Sequence, residues 1–160
     1  MYKILKKRSL NAAGTTIEMV VEAPLVARKC LPGQFIIFRV DEFGERVPLT
    51  IADYDREKGT VTIMFQPVGR STMMLAELNE GDTILDFVGP LGKPSNMEGL
   101  KRVAVVGGGV GCAIAYPIAK GMHAKGIEVD MIAGFRNRDI VMLEDEMRAA
   151  SANLYITTDD

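Results

Sequence analysis

The stretch that decides the fold is "VVGGGVGCAIAYPIAK", Val105 to Lys120. A buried-type strand runs into four glycines within five positions and then into residues with helical spacing. That is the strand–turn–helix opening of a nucleotide-binding α/β unit. An ungapped G-x-G-x-x-G needs a sixth-place glycine, and that place holds Cys112 counting from Gly107, or Ile114 counting from Gly109. The following strand, Glu128 to Ala133, ends in Gly134-Phe135-Arg136 rather than in an acidic residue for a ribose. An ordinary NAD dehydrogenase of the Rossmann type is therefore disfavoured. The turn itself keeps its chemistry. Gly107, Gly108, Gly109, Val110 and Gly111 leave backbone N–H groups uncovered at a helix start, where a pyrophosphate or a flat ring can approach.

Working outward toward the C-terminus, "KRVAVV" is a continuous apolar run expected to form a fully buried strand. "IEVDMIAGF" gives a second strand, "DIVMLEDEMRAA" an amphipathic helix and "NLYITTDD" a third strand. Alternating strands and helices predict a parallel sheet. Three strands make a small sheet for its helices, so the chain reads as an excised piece of a longer one.

Toward the N-terminus the periodicity changes. "YKILKKRSL", "TTIEMVVEA", "GQFIIFRV", "VPLTIADY", "TVTIMFQPV" and "DTILDFV" are short β-type runs closed by turn residues, which predicts a six-stranded antiparallel barrel or sandwich. Within it "STMMLAEL", Ser71 to Leu78, has a capping serine or threonine followed by helical spacing. The expected architecture is an antiparallel barrel over residues 1–97 and a partial parallel α/β domain over 98–160.

With 48% apolar residues, the 160-residue chain has enough to build cores. Its net charge of −2 comes from 19 basic and 21 acidic residues without blocks, which argues against a nucleic-acid or anionic-membrane partner. Val103 to Ala119 is apolar but interrupted by four glycines and Pro117, so no membrane span is expected. Cys30 and Cys112 form no metal or disulfide pattern, and "MYKILKKRSL" lacks a signal peptide's apolar run, so a cytoplasmic setting and no metal site within these residues are expected.

The barrel half carries its own polar set. "ERVPLTIADYD" puts Arg46, Thr50 and Tyr54 along a run whose Pro48 marks an edge or rim. "QPVGRSTMML" adds Gly69, Arg70, Ser71 and Thr72 at a helix start, a second anion-binding turn. Each has a plain alternative, a solvated arginine or an ordinary cap. Together they suggest two nucleotides meeting between two domains.

"PGQFIIFRV", "RVPLTIAD", "VGRSTMMLAEL", "GDTILDFVGPLGKP" and "VAVVGGGVGCAIAYPIAKG" stand in the order seen in the ferredoxin–NADP reductase superfamily, and the chain resembles it over essentially its whole length. It is most similar to the electron-transfer subunit of dihydroorotate dehydrogenase, of pyrimidine biosynthesis, and to the small subunits of sulfide dehydrogenase and NADH-dependent ferredoxin–NADP oxidoreductase. The resemblance implies an FAD-binding barrel followed by an NAD(P)-binding domain. The flavin would lie along Pro48, Leu49 and Thr50, with Thr50 near its reactive nitrogen, and Arg46 with Gly69 to Thr72 would hold the FAD pyrophosphate. Gly107 to Gly111 would meet the nicotinamide dinucleotide, with Gly134, Phe135 and Arg136 on its adenosine side.

The resemblance further implies a hydride passed from NAD(P)H to FAD, single electrons passed on to an iron–sulfur centre, and a catalytic or larger redox partner of the dihydroorotate dehydrogenase or glutamate synthase type. The 2Fe-2S cysteines would lie beyond this sequence. Three positions depart from the superfamily: Val47 in the usual arginine place, Leu49 in that of the stacking tyrosine, and Ile114 in that of a proline. His123 reads as a surface residue, and Arg136 and Arg138 leave NAD against NADP open, as Asp159 and Asp160 leave a ribose contact open. Two other functions remain: a stand-alone flavin reductase with a free acceptor, and an interaction subunit that has lost its cofactor.

Overall fold

One corner, at Leu85, closes the N-terminal half of the protein. In the computed structural model, which describes residues 1–160, the strands β1 (Tyr2–Ser9), β2 (Ile17–Glu22), β3 (Phe35–Arg39), β4 (Val47–Asp55), β5 (Thr60–Phe65), β6 (Thr83–Ile84) and β7 (Asp86–Leu91) form one antiparallel sheet in the order β6-β1-β2-β5-β4-β3-β7. Its two end strands are consecutive in sequence, separated only by Leu85, whose N–H donates to Val40 O (3.2 Å). The run "DTILDFV" is thus not one strand, and the six expected strands are seven. Bending at Leu85 lets the run pair β1 with one part and β3 with the other, so the sheet is nearly closed and its edges find partners. Ile4, Met19, Ile36, Phe38, Ile51, Ile63, Phe65 and Phe87 fill the interior.

Two helices belong to this half. α1 (Pro24–Lys29) was absent from the strand reading; Pro24 at its first position is its only strong local signal, and it buries Val26 and Ala27. α2 (Arg70–Glu77) begins two residues earlier than a Ser71 cap would place it. Its N-cap is Gly69, not Ser71 or Thr72. The Thr72 hydroxyl instead reaches back, accepting from the N–H of Val68 (3.2 Å) and of Gly69 (3.1 Å).

The second half is a parallel sheet, β10 (Asn153–Thr158), β9 (Glu128–Phe135), β8 (Arg102–Gly108), with β9 central. Gly109–Gly111 form a 3-10 turn into α3 (Cys112–Ala124), and α4 (Glu144–Ala149) follows β9. α4 is only the end of the expected "DIVMLEDEMRAA" helix. Met142 and Leu143 are buried ahead of it, and Leu143 adopts φ +59, which stops a helix from starting earlier.

Nor is "KRVAVV" fully buried. Val103 and Val105 pack toward the helices, whereas Val106 is 69% exposed on the opposite face. Both α3 and α4 pack into one core with Val129, Met131 and Ala133, which leaves the other face of the sheet bare.

The halves are joined by packing. Ala52 and Met64, from the barrel's outer surface, belong to the same apolar cluster as Ala113, Tyr116 and Ala119 of α3, as does Met97 from the connecting segment. A Cβ on Gly121 of α3 would come within 2.7 Å of Pro32 Cγ, so α3 lies close against the barrel there. The β1–β2 hairpin also reaches across: Ala13 N–H donates to Asp139 O (3.1 Å), and Arg8 bridges Glu18 (2.7 Å) on its own sheet and Glu146 (3.0 Å) on α4.

Candidate functional site

Parallel strands end at the same level, and that level faces the barrel. Gly108, Gly134 and Thr157 stand side by side in register on β8, β9 and β10, so the floor there is nearly all backbone. Above it lies a cleft of about 940 Å³. Its α/β wall includes Gly108, Gly109, Gly134, Phe135, Arg136 and Asn137, with Thr157 and Asp159 from the end of β10; its barrel wall is Gly14 and Thr15 of the β1–β2 hairpin and Gln66, Pro67 and Val68 after β5. Ligands of open parallel sheets bind at this end.

The glycines divide by role. A Cβ on Gly107 would lie 3.0 Å from Cys112 Cα and Sγ, so this glycine lets β8 and α3 pack together. A Cβ on Gly108, Gly109 or Gly111 would meet nothing within 4 Å. Their openness is room for something else. Gly108 and Gly109 line the cleft; Val110 and Gly111, both half-buried, turn the chain into α3 behind it. Asn137 Oδ1 is buried at the cleft wall with no hydrogen-bond partner, a polar atom left for a ligand. Asp160 is tied back by the N–H of Arg138 (3.4 Å), and its carboxyl is held below the usual range by the Thr158 hydroxyl first and that N–H second.

The barrel wall of the cleft, Gln66–Val68, leads in sequence into the second turn at Gly69. The first intrahelical bond of α2 is Met73 N–H to Gly69 O, so the N–H groups of Arg70, Ser71 and Thr72 have no helical acceptor. No side chain crowds Gly69. Ser71 Oγ donates to Glu45 Oε2 (3.4 Å), which brings the loop carrying Arg46 to this helix start. Arg46 is largely exposed and shares the Asp86 carboxylate (3.3 Å) with Arg39 (2.7 Å).

β4 explains its own sequence. Along Val47–Thr50 it pairs only with β3, because β5 joins at Ile51, so Pro48 sits on a locally free edge. Val47, Leu49 and Ile51 turn into the barrel core; Ala52 turns outward into the α3 cluster. By alternation Pro48 and Thr50 share that outer face, and Thr50 emerges beside the interface about 7 Å along the strand from Ala52. Leu49 does not present its side chain there: a ring lying on this run would meet Pro48, Thr50 and backbone.

The cleft residues that the sequence reading missed are Gly14, Thr15, Gln66, Pro67, Val68, Asn137, Ile140 and Thr157. "NAAGTT" and "QPV" read only as turns, and nothing local says that they face glycines more than 40 residues away. Cys30 and Cys112 lie in different cores, and burial pushes both thiols up to about 11. No group of three or more His, Cys, Asp or Glu is placed to hold a metal ion, and no helix is long and apolar enough to cross a membrane.

No family model matches the sequence. A dihydroorotate dehydrogenase B (NAD(+)) electron transfer subunit homolog of Thermotoga maritima is 41% identical over 98% of this chain and 55% of its own length. The structure of an NADH-dependent reduced ferredoxin–NADP oxidoreductase, described for flavin-based electron bifurcation, superposes with a TM-score of 0.93 at 38% identity, over 99% of this chain and 57% of that one.

In sequence and in fold the chain is similar to the ferredoxin–NADP reductase superfamily.

Within that superfamily, phthalate dioxygenase reductase shares the fold at 17% identity, with a TM-score of 0.80 over 99% of this chain and 51% of that one. An uncharacterized Clostridium beijerinckii protein is 54% identical over the whole of this chain and 56% of its own length. The chain spans about half the length of the curated relatives it matches.

Proposed function

We propose that the chain is the flavin- and nicotinamide-binding part of an electron-transfer oxidoreductase. The observation that carries this reading is that Gly108–Gly109, a glycine-opened helix start on the parallel sheet, line an interdomain cleft whose barrel wall, Gln66–Val68, leads in sequence into a second glycine-opened helix start at Gly69. Two dinucleotides with facing phosphate sites fit that arrangement.

The free N–H groups of Arg70, Ser71 and Thr72, with the guanidiniums of Arg46 and Arg70, hold the FAD pyrophosphate. Pro48 and Thr50 on the outer face of β4 bear the flavin edge, Thr50 offering its hydroxyl as the hydrogen-bonding group. Gly108 and Gly109, ahead of the α3 dipole, hold the phosphates of NAD(P)H. Gly134, Arg136 and the Asn137 amide take its adenosine side. FAD held there would supply the redox chemistry, two-electron hydride acceptance from NAD(P)H and single-electron release. The residues bind, orient and exclude water, and none needs to act as a general acid or base. The acceptor would be an iron–sulfur centre or a catalytic partner subunit of the dihydroorotate dehydrogenase or glutamate synthase type, in a cytoplasmic complex.

Purified full-length protein is expected to be yellow, or to take up FAD, and to be bleached anaerobically by NADH or NADPH. A protein that stays colourless on incubation with FAD refutes the reading and leaves an interaction subunit. Turnover with a free acceptor and no partner points to a stand-alone reductase.

A further inference from the structure

β4 and α3 each carry one half of the proposed chemistry at one end, and they touch farther along. β4 holds Thr50; α3 begins at the glycine turn. The register between β4 and β5 slips between Ile51 and Asp53, a bulge that sets two residues of β4 against one of β5. Ala52 enters the α3 cluster, and Asp53 meets Lys120 of α3, whose Nζ donates to both carboxylate oxygens at 2.8 Å. The same Nζ lies 5.9 Å from the centre of the Tyr116 ring.

The rest of this contact is apolar: Ala52 and Met64 of the barrel with Ala113, Tyr116 and Ala119 of α3 and the connecting Met97 in one cluster, and Gly121 against Pro32. Such packing is non-directional. The Asp53–Lys120 pair is directional and bidentate. It is the one side-chain hydrogen-bond tie between these two elements. Both groups remain partly exposed, at 33% and 49%, where an ion pair contributes little to stability. Its remaining effect is on register.

We propose that Lys120 is a positioning residue: by gripping Asp53 at the β4 bulge it fixes where α3, and so the Gly108–Gly111 turn, stands relative to Thr50. This rests on the functional reading above, since only then does that register set the approach of nicotinamide to flavin. The grip lies about 13 Å down α3 from the turn, nine residues at 1.5 Å each. A small tilt there becomes a displacement at the cleft.

The test uses the full chain, with and without FAD. Lys120→Met removes the charge and keeps the stem. Without cofactor, it is expected to raise amide exchange at residues 51–55 and 113–121 while the thermal midpoint stays within a degree or two. With FAD bound, the limiting rate of flavin reduction by NAD(P)H is expected to fall by about tenfold or more, as small misalignments do, and the long-wavelength charge-transfer absorbance to weaken. FAD and nucleotide dissociation constants should stay within about twofold, because the phosphate sites are intact. Asp53→Asn should give the same fall, the double variant no further fall, and Lys120→Arg, which can still pair bidentately, should recover most of the rate. Unchanged exchange in the cofactor-free Lys120→Met chain overturns the proposal, whatever the cofactors do. So does a wild-type rate and absorbance with FAD bound. If the wild-type chain binds no FAD or is not reduced, the functional reading falls instead, and the exchange result still decides whether Lys120 holds α3 to β4.

Discussion

The two sheets solve the same problem differently. The barrel sheet nearly closes on itself, so its strands find neighbours and its large side chains, Phe38, Phe65 and Phe87, are fully buried inside. The parallel sheet has α3 and α4 on one face only, and Val106 and Tyr155 stand 69% and 55% exposed on the other. Closure gives the barrel a complete core from its own residues; the parallel half depends on the barrel, through Ala52 and Met64, and on Met97 of the connecting segment, for part of its core. The flavin side is therefore built on the more self-sufficient scaffold.

Four experiments would break or sharpen this contrast. The largest effect is expected in the barrel interior: Phe38→Ala should cost about 3–5 kcal/mol in urea unfolding. A cost under about 1 kcal/mol would deny the barrel its role as the stable half. Next come the glycines of the α/β half. Gly107→Val forces a branched side chain against the α3 backbone and should cost about 1–3 kcal/mol. Gly108→Ala meets open space, so its unfolding midpoint should not move while nucleotide affinity falls; equal losses of stability from both would erase the division of roles between them.

The two thiols report on the halves separately, since Cys30 sits in the barrel core and Cys112 in the other. Both values are raised by burial to about 11 from an ordinary 9.0, so the native state binds more protons than the unfolded state between those values. Stability from these thiols is complete below pH 9 and is lost as pH rises toward 11. At pH 8 both should resist alkylation, and in rising urea Cys112 should label before Cys30; the reverse order would invert the ranking of the halves. The smallest effect belongs to the bare face, where Val106→Thr should change stability by less than about 0.5 kcal/mol.

Much of this was legible in the sequence. The parallel half followed from apolar runs alternating with helical spacing, and β8, α3, β9 and β10 lie where those runs are. Five of the six barrel runs became single strands. α1 escaped because a six-residue helix leaves too short a pattern to compete with flanking β-type runs. The N-cap of α2 was misplaced because hydroxyl residues suit a cap and the first turn alike, and only the backbone shows that Thr72 reaches back to Gly69.

Of the candidate site, the glycines and arginines could be proposed from the sequence because their chemistry is local: a residue without a side chain at a strand end, a cation beside a rim. Those signals depend on spacing and residue type, which a sequence displays directly. What the tertiary structure alone decided is which distant pieces meet. The corner at Leu85 closes the barrel, Thr15 and Gln66 face Gly108 across the cleft, and Asp53 finds Lys120 sixty-seven positions away. These meetings follow from packing two cores against each other, and long-range packing leaves no periodicity in the chain from which they could be read.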